Sequence, residues 1–400
     1  MGTIISKDKK TKIMYVVGSL AKTGGTERVL IDKMNYLSTH GFEVVLITYE
    51  QGTHSMSFPV SPSVKHIDTG TRFFTLYKYH RILRIFKLWE MKKEYFSRLQ
   101  NIVDFEMPDF IITTTYHLDT CGIVTQLKTT AKLIVEAHIP KAHTYDRNIR
   151  NSNYIKRFLY TLNNEYRCKK ARKFDLLVAL TPKAANDWKN TTQHCIVIPN
   201  PVTKYQEVIK DKIPNTNRII AAGRLTNQKG FERLIYAFAQ ITNQCPEWHI
   251  DIFGDGDDKQ YLNDCISKGN LQNKVFIHPS TSHIYDEYMN SDFYVMSSRY
   301  EGLPLVLIEA MSCGLPCVSF RCKYGPEDII EDGKTGLLVK DGDIKDLAQK
   351  ILWMCQHEEQ RIAMSISARK SAEKYKKEHI MPIWIKLFND FDSFLSNRIH

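Results

Sequence analysis

Residues 218–241 read RIIAAGRLTNQKGFERLIYAFAQI. The apolar run Arg218–Gly223 has the look of a buried strand, and Gly230–Ile241 repeats its apolar residues at helical spacing. Between them lies a polar loop opened and closed by glycine. A strand that passes through such a loop into a helix is half of a β-α-β unit. Outward from this stretch the alternation recurs. Strands are predicted at Trp248–Phe253, Lys274–His278, Phe293–Met296, Pro316–Phe320 and Thr335–Val339, and helices at Asp257–Lys268, Asp286–Met289 and Pro304–Cys313. Toward the N-terminus the same grammar gives strands at Ile13–Gly18, Glu43–Tyr49, Phe110–Thr115, Lys132–Ala137, Leu176–Leu180 and Cys195–Pro199, with a helix from about Glu27 to His40 stopped by Gly41. Thr181-Pro182 reads as a helix cap followed by proline in the first turn. Strand–helix alternation at this spacing predicts α/β architecture with parallel sheets covered on both faces. Two successive sets predict two doubly wound domains, 1–200 and 201–378, with a polar seam near Pro201–Asn217. Ligands of such sheets bind beyond the carboxyl ends of the strands, so two domains facing each other would make a cleft there.

The chain has 400 residues, 43% apolar and 25% charged, with only 19 Gly and 14 Pro. That excludes low-complexity and collagen-like readings. No apolar stretch approaches the length of a membrane-spanning helix. The opening Lys7-Asp8-Lys9-Lys10-Thr11-Lys12 before Ile13–Val17 resembles a secretory leader, but the apolar run stops at Gly18, so a charged tail before a first strand is expected. Nine cysteines form no C-x-x-C pair, and Cys313, Cys317 and Cys322 are not at zinc spacing; reduced, core-filling thiols in the cytosol are expected. The net charge of +11 is unevenly spread. Residues 1–200 carry 30 Lys+Arg against 17 Asp+Glu (+13), and residues 201–400 carry 25 against 27 (−2). The basic half therefore predicts a polyanionic partner. Much of the excess lies in 72–98, where Arg72, Lys78, Arg81, Arg84, Lys87, Lys92, Lys93 and Arg98 are interleaved with Phe73, Phe74, Tyr77, Ile82, Ile85, Phe86 and Trp89. With no Gly or Pro the segment reads as one helix. Aromatics at headgroup depth and cations on lipid phosphates would suit an anionic membrane surface, with Lys78, Arg81, Arg84 and Lys87 as contacts. The bland alternative is a core-packed helix with solvated cations. No feature points to nucleic acid.

Three constellations carry chemistry. In Gly223-Arg224-Leu225-Thr226-Asn227-Gln228-Lys229-Gly230, two cations stand at a helix entry, an arrangement suited to a diphosphate; spacing alone leaves open a plain helix-entry loop. It lacks the phosphate-loop pattern. In Ser298-Arg299-Tyr300-Glu301-Gly302-Leu303-Pro304, a strand end meets a helix start; Glu301 and, eight residues on, Glu309 can each accept bonds from paired sugar hydroxyls, while free helix amides hold phosphate oxygens. The alternative is a Ser298/Glu301 capping box. Gly24-Gly25-Thr26-Glu27 lets backbone amides approach an anion, but no G-x-G-x-x-G is present, and Gly254-Asp255-Gly256 lacks the third glycine, so nicotinamide binding is disfavoured. His138 follows a strand's carboxyl end; by position alone it is as readily structural.

Together these residues resemble the retaining glycosyltransferases of the GT-B fold known as family 4. The resemblance rests on G-R-L-T-N-Q-K-G at 223–230, F-G-D-G at 253–256, S-R-Y-E-G-L-P-L-V-L-I-E-A-M-S-C-G-L-P at 298–316, Tyr324-Gly325-Pro326 and Asp332-Gly333-Lys334-Thr335-Gly336. The spacing of Glu301 and Glu309 is the family's signature, and Gly24-Gly25-Thr26-Glu27-Arg28-Val29-Leu30 is similar to the first-loop motif of polysaccharide-building members. The resemblance implies that Arg224 and Lys229 neutralise the donor diphosphate and that Glu301 contacts the transferred sugar. It implies that Glu309 binds the ribose, that backbone at Gly302-Leu303 and Gly24-Gly25 supports phosphate, and that His138 lies near the donor sugar. It also implies a last helix, roughly His379–Ser396, returning to the first domain, and catalysis without metal or other cofactor. The expected reaction is transfer of a hexose or N-acetylhexosamine, on family frequency from a UDP-sugar, to a lipid-linked or polysaccharide acceptor with retention of configuration. The basic first domain adds a phosphorylated acceptor and a place on the inner face of the cytoplasmic membrane. The rivals are a nucleotide-sugar epimerase of the same fold and a non-enzymatic nucleotide- or polyanion-binding protein.

Overall fold

The computed structural model describes residues 10–115, 122–139, 141, 154, 158, 168–205 and 216–396. The chain forms two compact units, Met1–Pro199 with Met381–His400, and Asn200–Ile380.

In the first unit, strands β1 (Lys12–Val17), β2 (Glu43–Thr48), β3 (Val64–Asp68), β4 (Phe110–Thr114), β5 (Lys132–Ala137), β6 (Leu176–Ala179) and β7 (Cys195–Val197) form one sheet in the order β3-β2-β1-β4-β5-β6-β7. Every pairing is parallel, from Val44↔Val64 through Tyr15↔Leu46 and Ile13↔Phe110 to Leu177↔Cys195. The strand order reverses beside β1, between β2 and β4, which is the topological switch point where such sheets bind ligands. Helices α1 (Gly25–Thr39), α2 (Arg81–Glu106) and α3 (Pro182–Trp188) belong to this unit. The central strands are buried on both faces, as the near-continuous apolar runs require. The α3 cap forms as read: the Thr181 hydroxyl accepts from the Ala184 amide at 3.2 Å, with Pro182 in the first turn.

The second unit repeats the plan. Strands β8 (Arg218–Ala222), β9 (His249–Phe253), β10 (Val275–His278), β11 (Phe293–Met296), β12 (Cys317–Phe320) and β13 (Gly336–Val339) stand in the order β10-β9-β8-β11-β12-β13, again all parallel. Its helices are α4 (Phe231–Ala239), α5 (Lys259–Lys268), α6 (Ile284–Met289), α7 (Leu305–Ser312), α8 (Pro326–Ile329), α9 (Ile344–Gln356) and α10 (Glu358–Ala372). The core includes Phe231, Leu234 and Phe238 of α4 and Leu347 and Ile351 of α9, packed on Ile219, Ile250, Val295 and Val318 of the sheet. The switch point falls beside β8, between β9 and β11. Each unit is a doubly wound parallel α/β sheet, as the sequence pattern predicts.

Two expected helices are drawn differently. The segment 72–98 is not one helix. Arg72 adopts a left-handed backbone, Phe73–Lys78 forms a 3-10 turn, and α2 starts only at Arg81, after the extended His80. The cause is packing: the Phe73 ring lies edge-on to Tyr49 and Tyr95, and Leu76 is buried, so the chain must turn before α2 can begin. The last helix is likewise two, α11 (Lys377–Asn389, with Pro382 inside it) and α12 (Phe391–Ser396), because Asp390 starts afresh by accepting the Ser393 amide. From Met381 onward this segment packs on the first unit. Phe388 contacts Phe42 and Phe110, and Phe391 contacts Phe110. Among the described residues no helix is long and apolar enough to cross a membrane.

Candidate active site

In the second unit, the loops after β8 and β11 lie side by side at the switch point. The β8 loop must pass close to the start of the β9 loop. A Cβ on Gly254 would stand 1.9 Å from the Gly223 carbonyl oxygen, so only glycine fits there. Gly254→Ala should displace the Gly223–Lys229 loop, costing about 1–3 kcal/mol. Denaturant unfolding of the variant against wild type checks this, and no change in the midpoint would contradict it.

Four bonds stitch the two loops together. The Ser297 hydroxyl donates to the Lys229 carbonyl at 3.0 Å and the Gln228 amide to the Tyr300 carbonyl at 3.1 Å. The Arg299 backbone N–H donates to the Gln228 carbonyl at 2.8 Å and its guanidinium to the Asn227 carbonyl at 2.7 Å. The same guanidinium pairs with Glu232 on α4. Lys229 Nζ is thereby delivered to Glu301, 2.8 Å from Oε1. The Ser298 hydroxyl donates to the same oxygen at 2.6 Å. Both partners converge on Oε1; Oε2 has no hydrogen bond among the described residues. Glu301 is buried. A buried carboxylate with one oxygen anchored and the other unspent is a directed acceptor for a hydroxyl. Ser298 and Glu301 make this side-chain bond rather than a capping box, since α7 begins only at Leu305.

Arg224 projects into solvent from the same loop, and Gly302-Leu303 lead to the free amides of α7 after Pro304. Gly325 packs on this turn; a Cβ there would meet Pro304 Cδ at 2.3 Å, which explains why Tyr324-Gly325-Pro326 accompanies the Glu301 loop. Glu309 is half-buried on the second turn of α7, and its charge is felt by the buried phenols of Tyr288 and Tyr294. Burial above all pushes both phenols upward, so they stay neutral. Tyr294 uses its hydroxyl to donate to the Ala222 carbonyl at 3.0 Å, tying β11 to the end of β8.

In the first unit, α1 starts at Gly25 after the extended Gly24, at the carboxyl end of β1. His138 lies just beyond β5, buried, with Nε2 3.0 Å from Glu136 Oε2. The other Glu136 oxygen pairs with Lys33 Nζ of α1 at 2.7 Å, and Lys33 sits 3.6 Å above the Trp384 ring. Lys33 and Glu136 are both essentially inaccessible. Burial alone would raise the Glu136 pKa, but the Lys33 charge and the His138 hydrogen bond outweigh it and hold the carboxyl at about 2. Burial also lowers the Lys33 pKa. Sequence reasoning passed over Glu136, Lys33 and Arg299. The available signal was a carboxylate inside an otherwise apolar strand and a lysine on the buried stripe of α1, which together demand a partner.

Lys78, Arg81 and Arg84 are exposed, and Lys87 pairs with Glu90 at 2.6 Å. Ile82, Ile85, Phe86 and Trp89 are each about 70% exposed, with Phe74 and Tyr77 next to them in sequence and also exposed. The core-packed alternative holds only for the other end of α2, where Tyr95, Leu99 and Val103 are buried and Glu106 pairs with Lys12 and Lys65.

Comparison with known proteins agrees with this architecture. Residues 23–204 match Glycosyltransferase Family 4, and residues 205–371 match Glycosyl transferases group 1. The chain belongs to the family-4-type glycosyltransferases of the GT-B fold and is a transferase. It is similar to an uncharacterized glycosyltransferase of Haemophilus influenzae, 27% identical over 93% of this chain and 98% of the relative. It is also similar to the amylovoran biosynthesis glycosyltransferase AmsD of Erwinia amylovora, 26% identical over 94% and 99%. A solved structure of an S. aureus TarM mutant with fondaparinux, alpha-GlcNAc-glycerol and UDP shares the fold, with a TM-score of 0.75, 17% identity and coverage of 95% and 100%.

Proposed function

We propose that this protein transfers a hexose or N-acetylhexosamine from a UDP-sugar to a hydroxyl of a lipid-linked or polysaccharide acceptor, with retention and without a metal. The observation that carries the reading is the Lys229–Glu301–Ser298 cluster, in which a cation and a half-committed carboxylate share one buried spot at a switch point. Support for the substrate classes comes from the UDP in the TarM complex and the amylovoran biosynthesis named for AmsD. In the proposed reaction the acceptor oxygen bonds to the anomeric carbon on the face from which UDP departs. The carbon–phosphate oxygen bond breaks, and the acceptor proton leaves with the phosphate. Charge grows on the leaving diphosphate, where Lys229, Arg224 and the amides at Gly302-Leu303 oppose it more strongly in the transition state than in the bound donor. Glu301 Oε2 accepts a hydroxyl of the sugar, Glu309 takes the ribose, His138 stands near the sugar, and the Gly24-Gly25 amides support phosphate. Incubation with a UDP-sugar panel and extracted glycolipid, in EDTA, tests this. New α-linked product from an α-linked donor is expected; inverted linkage, or epimerised donor formed without acceptor, would overturn it.

The exposed end of α2 is proposed to rest on an anionic cytoplasmic membrane surface. Ile82, Ile85, Phe86 and Trp89 share one helical stripe by their i, i+3, i+4, i+7 spacing. The helical period divides the cations. Arg81 and Lys92 flank the stripe, Lys93 lies over the Trp89 ring at 5.6 Å, and Arg84 and Lys87 fall on the far side. Phosphate contact therefore belongs to Arg81, Lys92 and Lys93, with Lys78 just ahead of the helix, more than to Arg84 and Lys87. Flotation with anionic vesicles should recover the protein, weaken with salt, and be lost in I85S/W89S. Equal recovery on neutral vesicles would contradict the electrostatic part.

A further inference from the structure

The buried Lys33–Glu136–His138 series fixes which ring nitrogen of His138 is engaged by protein and which is left over, and the use made of the second rests on the reading of His138 as a residue near the donor sugar. Glu136 in β5 and His138 just beyond its end are two residues apart and meet through their side chains, and α1 supplies Lys33 to the same carboxylate. Glu136 Oε2 accepts only, so the group 3.0 Å away on His138 Nε2 must be a donor. Nε2 therefore carries a proton, and in the neutral ring Nδ1, which has no partner among the described residues, carries the lone pair. The acceptor role of Glu136 is fixed by Lys33 at 2.7 Å, and Lys33 cannot retreat to water because the Trp384 ring covers it at 3.6 Å.

We infer that Glu136 is a positioning residue for His138: it holds the Nε2 proton and presents Nδ1 as the hydrogen-bond acceptor toward a sugar hydroxyl, while Lys33, shielded by Trp384, keeps the carboxylate in place. Sequence shows a lone histidine; the structure supplies a series of three residues, Lys33, Glu136 and His138, covered by a fourth, Trp384, from the C-terminal segment. A carboxylate that orients an imidazole without touching the reacting atoms acts on turnover more than on substrate binding.

The test uses the full chain labelled at imidazole nitrogen, with the His138 signals assigned by their disappearance in His138→Asn. Long-range proton–nitrogen correlation should show Nε2 protonated and Nδ1 bare in wild type. In K33M/E136Q, which removes both charges so that neither is left unpaired, the His138 signals should move toward an average of the two tautomers. The kcat should fall roughly tenfold or more with the donor KM little changed, and Glu136→Asp should retain the wild-type tautomer. Circular dichroism and the melting temperature of each variant confirm folding. Protonation of Nδ1 in wild type, or an unaltered His138 spectrum in K33M/E136Q, would overturn the inference while leaving His138 itself in the reaction. Wild-type turnover by His138→Asn would overturn the reading of His138 on which the inference rests, whatever the spectrum shows.

Discussion

Lys229→Ala should lower kcat/KM for the sugar nucleotide by about 10²–10³-fold, the usual consequence of removing one fixed donor aimed at developing charge. The expectation follows from where Lys229 sits. Four loop-to-loop bonds hold it, and its ammonium lies 2.8 Å from Glu301, so no reorganisation is needed when a diphosphate arrives. Glu301→Gln keeps the size and the Ser298 bond but loses the charge that steadies Lys229, so it should lose less than Lys229→Ala. Steady-state kinetics of both variants, with a double-mutant cycle, checks the coupling. Additive effects would mean that the ion pair is incidental, and unchanged turnover in Lys229→Ala would remove the diphosphate assignment.

Lys33→Met should cost about 3–5 kcal/mol, because it takes from the buried Glu136 carboxylate its only cation among the described residues and leaves it the His138 hydrogen bond alone. The pair is inaccessible, so solvent cannot screen the loss. Exchanging both residues, K33M/E136L, should restore much of the stability, since an apolar pair of like volume has no charge to desolvate. The pH dependence has a definite sign. The Glu136 pKa is depressed in the folded state to about 2. Its contribution is therefore fully present above the ordinary carboxylate pKa and is lost as pH falls toward 2. Wild type should lose stability through that acid window more steeply than K33M/E136L. Urea unfolding at pH 3 and pH 7 measures it; parallel losses in both proteins would show that the pair does not titrate with folding.

The strands could be read from the sequence wherever both faces are buried, because parallel strands then appear as apolar runs. Met14–Val17, Val44–Ile47 and Ile219–Ala222 are such cases. Val64–Asp68 escaped notice because it is the edge of the first sheet, and its V-K-H-I-D leaves one side polar. The loops after β8 and β11 were legible because glycine, cation and carboxylate stand at fixed offsets from strand ends. What no pattern conveyed is pairing across the fold. Arg299 reaches Asn227 and Glu232 across some seventy positions, and Lys33 reaches Glu136 across 103. Periodicity reports which face a residue takes, not which residue it meets. The break before α2 was hidden for the same reason, since Phe73 turns the chain to reach Tyr49 and Tyr95.

Calorimetric titration of UDP into the full chain in EDTA, wild type against Lys229→Ala, bears most directly on the claim that fixed cations at the β8 loop grip a diphosphate. The account predicts saturable one-site binding without divalent metal, weakened at least tenfold by the substitution. Binding that requires added metal, or that is indifferent to the loss of Lys229, would contradict it.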